Sequence, residues 1–109
     1  MNLEIQDAKF NSKEVSIFNT ATLIVKTTED VKSLGILDSK GKVVNPTSVS
    51  STVENSIKTW KVKIKLSKLG NTKFAVYGIG EDGTPSNKVV ETSVKCVLFT
   101  SISNLFKPW

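Results

Sequence analysis

The chain has 109 residues, of which 39% are apolar and 23% charged, and a net charge of +5; this suits one domain with one core and excludes a disordered polar chain. It contains a single cysteine and no histidine, which removes an internal disulfide, the commonest zinc and copper ligand, and the usual general base of serine and cysteine hydrolases. All fifteen basic residues are lysines, so the chain lacks the planar guanidinium on which base readout and forked phosphate recognition depend, and sequence-specific nucleic-acid binding is not expected.

Read in chain order, the elements are strands. Leu3 to Phe10 places Leu3, Ile5 and Asp7 on one side and Glu4 and Gln6 on the other, as a half-buried edge strand. Val15 to Phe18 reads as a second, short strand after a polar turn. Ala21 to Thr28 sets Ala21, Leu23 and Val25 against Thr22, Ile24 and Lys26. Ser33 to Leu37 follows and ends at Asp38-Ser39-Lys40-Gly41, where Gly41 suits a left-handed turn position. Val43 and Val44 would begin a return strand. Asn45-Pro46-Thr47-Ser48 and the Ser/Thr-rich run to Ser56 read as a loop or a weakly held edge, since proline is excluded from central strands.

The clearest strand is Trp60 to Leu66, in which Trp60, Val62, Ile64 and Leu66 alternate with Lys61, Lys63 and Lys65. One face is predicted to be buried and the other charged. Leu69-Gly70-Asn71 makes a turn into Thr72 to Gly80, with Phe74 and Val76 on one side and Ala75, Tyr77 and Ile79 on the other. A turn cluster, Glu81 to Ser86, leads to a last strand over Lys88 to Phe99. Short connections between alternating strands imply antiparallel pairing, and two packed sheets bury the apolar faces. Each large side chain of the predicted core, Trp60 and Phe74 among them, contributes about 1.5–3 kcal/mol on burial. The expected fold is therefore an all-β, antiparallel sandwich of about seven strands, one domain over residues 1–109 with its core over about 3–99 and a tail over 100–109.

The segments Ala21 to Thr28, Leu34 to Asp38 with Lys40-Gly41-Lys42, Trp60 to Ile64 and Phe74 to Gly83 resemble bacterial immunoglobulin-like modules, related to fibronectin type III-like domains. The likeness covers about Ala21 to Val94. It implies an immunoglobulin-like β-sandwich and a non-catalytic, extracellular or cell-surface role as a spacer or adhesive unit within a longer protein. Abundant lysine without arginine, with much Asn, Ile and Ser, also resembles the coding bias of low-GC bacteria. The N-terminus shows no positive region followed by an apolar run, so the chain reads either as cytosolic or as a piece of a longer secreted protein. No apolar run reaches the roughly 20 residues that span a bilayer, and membrane insertion is not expected.

The candidate binding surface is Lys61, Lys63 and Lys65, extended by Lys58 and Lys73, with Tyr77 as an exposed ring; the partners in view are a protein or an acidic cell-wall polymer. The same lysines are also what keeps the wet face of an antiparallel sheet soluble and its edges unpaired. Trp60 is in phase with Val62 and belongs to the core, which leaves few rings for a carbohydrate-binding module, the alternative function. Glu29, Asp30, Asp38, Glu81 and Asp82 are carboxylates in turns without the spacing of a calcium loop. Cys96, in phase with Val94, packs inward without an activator. No catalytic residue, metal or cofactor is expected, and the chain is read as a monomer or part of a longer chain. Asn45-Pro46-Thr47-Ser48, Gly78-Ile79-Gly80 and Lys107-Pro108-Trp109 fall in the order of three motifs in the chagasin-like inhibitors of papain-type proteases, although the first two lack a glycine and the third has lysine for arginine. The apolar stretch from Cys96 to Phe106 is expected to be covered, by extending the last strand, by wrapping an open end, or by pairing with another molecule.

Overall fold

The fold follows from strands whose side chains alternate between a dry and a wet face. In the computed structural model, residues 5–86 and 89–98 are described, and all their regular elements are strands. They are β1 (Ile5–Phe10), β2 (Glu14–Ser16), β3 (Thr20–Thr28), β4 (Ser33–Asp38), β5 (Ser48–Glu54), β6 (Ile57–Lys65), β7 (Gly70–Ile79) and β8 (Val90–Val97). Leu3 and Glu4, Lys88, Phe99 and the tail from Thr100 to Trp109 lie outside the described residues.

Two four-stranded sheets form, ordered β1-β3-β6-β5 and β2-β8-β7-β4. This is the strand order of an immunoglobulin-like sandwich. The count is eight because the first strand is shared out: β1 pairs antiparallel with β3 in one sheet, and β2 pairs parallel with β8 in the other. The chain stays hydrogen-bonded through that crossing, from the Asn11 N–H to the Thr22 carbonyl and from the Lys95 N–H to the Lys13 carbonyl.

Ile5, Ala8, Val15, Leu23, Val25, Val31, Ile36, Trp60, Val62, Ile64, Phe74, Val76, Val94 and Cys96 meet in one core. The two aromatic rings Phe10 and Phe74 lie tilted with centroids 5.6 Å apart, in the preferred range for such pairs. Alternation in β1 is interrupted: a bulge between Ile5 and Asp7 shifts the phase, so Ala8 rather than Asp7 is buried after Ile5. Val43 forms only an isolated bridge to Leu37, and the return strand is instead β5, on the far sheet and at its edge. The loop before it turns at Gly41, whose φ of 80° lies in the expected left-handed region. The β5–β6 hairpin turns through Asn55 and Ser56, with φ of 53° and 66°, the pairing of positive values that a two-residue type I′ turn requires.

Near one end of the core, opposite Lys58, Thr27 is fully buried, which for a hydroxyl is tolerable only with partners. Its Oγ1 accepts the Trp60 indole N–H at 2.9 Å and donates to the Thr28 carbonyl at 2.9 Å. Replacing Thr27 with the isosteric valine leaves that N–H without an acceptor. Thr27→Val is therefore expected to lower stability by about 1–3 kcal/mol, measured as the shift in the urea midpoint against the wild type.

Candidate functional site

Strand β6 builds the candidate surface directly, because a period of two sends Trp60, Val62 and Ile64 inward and Lys61, Lys63 and Lys65 outward. All three lysines are exposed. Cross-strand partners set their surroundings: Lys61 faces Ile24 and Ser50, Lys63 faces Thr22 and Ser48, and Lys65 faces Thr20. Lys9, opposite Ile24, and Lys26, opposite Thr59, share this outer face. Asp7, opposite Lys26, and Glu54, opposite Ile57, are the acids among these rows. The sheet thus presents a basic face floored by hydroxyl side chains.

The two lysines added to this stripe from the sequence do not join it. Lys58 is two residues from Trp60 and shares its inward phase; its Nζ donates to the Val31 carbonyl at 3.0 Å and lies 4.5 Å from the centroid of the Trp60 ring. It closes one end of the core through a hydrogen bond and a cation–π contact. Lys73 is on β7, opposite Ser93, in the other sheet. Tyr77 is also on that sheet, so the tyrosine and the lysine stripe lie on opposite sides of the molecule.

Tyr77 is half-buried rather than free. It pairs with Gly35 across β4 and β7, and its ring lies over that glycine, so that a Cβ built on Gly35 would fall within the ring. The ring takes the place of the missing side chain, the arrangement in which an aromatic covers a cross-strand glycine. Trp60 is 5% exposed, inside as expected, and Phe18, at 64%, is the aromatic among the described residues that stands out from the surface. Its φ of 68° places it in a turn region unusual for a bulky residue, at the corner where its N–H meets the Leu66 carbonyl. Nothing in the alternation of the sequence marked it.

Two carboxylates have shifted pKa values, and both are turn caps. Asp38 Oδ1 accepts the Lys40 and Lys42 backbone N–H groups at 2.9 Å each. The Lys42 N–H, above all, holds its carboxyl below the ordinary 3.8, against a smaller opposing effect of partial burial. Asp82 is lowered chiefly by the Thr84 N–H, which it accepts at 3.0 Å. Cys96 is buried and unbonded to another cysteine. Among the described residues no group of three or more Cys, Asp or Glu side chains is placed to hold a metal ion.

A cleft of about 290 Å³ opens between the Asp38 loop and the β6–β7 turn. Ile64, Leu66 and Phe74 line it together with Asp38, Lys40, Lys65 and Lys68, so its rim is mainly cationic. Of the three inhibitor-like motifs, Asn45 to Thr47 lies in the crossing between sheets, Gly78 and Ile79 are ladder residues of β7 opposite Leu34 and Ser33, and Lys107 to Trp109 lies outside the described residues. The second motif is therefore strand and not loop.

No protein-family model matches the sequence, and no curated protein matches it. Among solved structures, the chain is similar to CopC from Methylosinus trichosporium OB3b, with 17% identity over 87% of this chain and 95% of that one and a TM-score of 0.47. It is also similar to the fibronectin(III)-like modules of CbhA from Clostridium thermocellum, with 19% identity over 84% of this chain and 99% of that one and a TM-score of 0.42. The chain is an immunoglobulin-like β-sandwich by its own strand order.

Two outcomes are expected at these positions. The ring current of Tyr77 will move the Gly35 Hα resonances upfield, and Tyr77→Ala will return them to ordinary values; unchanged Gly35 shifts between the two proteins would contradict the packing. The second concerns acid. A carboxyl whose folded pKa is depressed stabilises the fold above its unfolded value and loses that contribution as pH falls through the folded one. Asp38→Asn is thus expected to flatten the dependence of the urea midpoint on pH below about 4, with little change in that slope at neutral pH.

Proposed function

We propose that this chain is a non-catalytic immunoglobulin-like module of a bacterial cell-surface or secreted protein, acting as a spacer or protein-binding unit. The observation that carries the reading is the parallel pairing of β8, the last strand of the described chain, with β2, the second, which follows β1 after a short turn. Glu14, Val15 and Ser16 lie against Lys95, Cys96 and Val97. Flanking bonds extend this seam, from the Lys95 N–H to the Lys13 carbonyl at 3.0 Å and from the Ile17 N–H to the Val97 carbonyl at 2.7 Å.

Tension applied through the two ends reaches β2 through β1 and, once β1 has come away from β3, pulls the neighbouring parallel strands β2 and β8 lengthwise past each other. Their hydrogen bonds are then loaded together and must break together, whereas an antiparallel hairpin pulled open at one end loses them one at a time. A module with that seam resists extension, which is what a spacer between anchored or tethered parts needs. The non-catalytic half of the reading is supported by the absence of histidine from the sequence and by turn capping as the cause of both shifted carboxyls. The bacterial and extracellular assignment is supported by the resemblance of the strand and turn segments and by the lysine-only basic composition.

Single-molecule extension tests the proposal. Handles at the two termini should give an unfolding force several-fold higher than handles at Ser48→Cys and Lys63→Cys, a cross-strand pair at the end of the β5–β6 hairpin, where the bonds unzip. Equal forces in the two geometries would overturn the spacer reading. Cys96 is buried and does not compete for the handles.

A further inference from the structure

Strand β5 ends its sheet, and all seven of its residues are exposed. This includes the residues on its inward face: Val49, opposite the buried Val62, is 50% exposed, and Val53, opposite Lys58, is 54% exposed. The strand therefore overhangs the core instead of closing it. An edge of this length ordinarily carries lysine, proline or a bulge that prevents another strand from adding to it. Ser48-Val49-Ser50-Ser51-Thr52-Val53-Glu54 has no lysine, proline or bulge, its one charge is Glu54 at the turn end, and its pairing with β6 runs without a shift.

We propose that the free edge of β5 takes an extended peptide segment of a partner protein as a fifth strand of the sheet, and that the segment alternates apolar with acidic residues. The backbone groups on the outer side of β5 supply the pairing, as on any sheet edge. Val49 and Val53 supply an uncovered apolar surface for one side of the added strand. On its other side, an added strand lies about 10 Å from β6, two strand spacings away, and the side chains between are the short ones of Ser48, Ser50 and Thr52, with the acid Glu54 at the turn end of the row. Lys61 and Lys63, opposite Ser50 and Ser48 on the same face, are long enough to extend over those hydroxyls toward it.

Charge selects this occupant. A second copy of the chain paired edge to edge through β5 would bring its own Lys61 and Lys63 to the same face, about 14 Å or three strand spacings from the first pair, with a net charge of +5 on each molecule. An acidic segment meets the same lysines with opposite charge. The inference rests on the protein-binding half of the proposed function and names the class of partner.

The test uses the whole chain and a synthetic peptide, acetyl-(Val-Glu)₄-amide, followed by fluorescence anisotropy or amide chemical shifts. Two further peptides carry N-methyl groups on all valines or on all glutamates. An added strand bonds through one parity of its N–H groups, so one methylated peptide should lose about tenfold or more in affinity while the other binds as the parent does. Lys61→Glu with Lys63→Glu should weaken the parent peptide by roughly tenfold, and amide shifts should concentrate in β5. Val53→Lys, which places an inward-facing charge on the edge, should also weaken binding while leaving the outer lysines in place.

Equal binding of both methylated peptides would show an anion adsorbed to the lysine face and would overturn the proposal. So would equal affinity for acetyl-(Val-Lys)₄-amide, displacement of the peptide by polyphosphate with no shift in β5, or no binding at low salt. None of these results bears on the force needed to shear β2 from β8, so failure of the edge and failure of the spacer reading are distinguished.

Discussion

The nine-residue ladder between β3 and β6 is the constraint on which the other parts depend. It runs from Thr20 opposite Lys65 to Thr28 opposite Ile57 without a shift. Because side chains alternate, this one register places Leu23 and Val25 beside Val62 and Trp60 in the core and leaves Lys61, Lys63 and Lys65 in water. A slip of a single residue would turn three ammonium groups inward, where an unpaired charge is far more costly than any gain from pairing. The Trp60–Thr27 hydrogen bond adds a specific lock to the same register, since the indole N–H finds there the one fully buried side-chain hydroxyl among the described residues.

The surfaces follow from that ladder rather than from separate design. Lysines occupy the outer face because core residues claim the alternate positions, and β5 inherits its position by pairing with β6. The opposing sheet ends at β4, so the inward side chains of β5 stay wet. An immunoglobulin-like sandwich thereby comes to have a well-packed centre, a basic outer face and one unguarded edge. The seam between β2 and β8 is independent of this arrangement and lies in the other sheet.

Much of the architecture was legible because burial and periodicity coincide in β3, β6 and β7. Trp60 and Cys96 fall inside as their phase implied, and Gly41 has the backbone that its turn demanded. The features that escaped are those where that coincidence fails. Strand β5 has no buried face, so its Ser/Thr-rich sequence carries no alternation to detect, and only the flanking proline marked it as an edge. Asn55 and Ser56 form the turn that brings it back, with neither glycine nor proline to announce it. The bulge after Ile5 changes phase within β1. Lys58 looked like one more exposed lysine, although counting back by two from Trp60 puts it on the inner face. Tyr77 read as a free ring because Gly35, the residue its ring covers, is distant in sequence and close only through the β4–β7 register.

Residue-resolved amide hydrogen exchange tests the central claim, that one continuous β3–β6 register supports a sandwich with an open β5 edge. The account predicts that amides in the middle of β3 and β6 exchange only through global unfolding, while alternate amides of β5, those directed away from β6, exchange near the rate of an unprotected chain. Protection of every β5 amide to the level of β6, or local exchange in the middle of β6 itself, would contradict it.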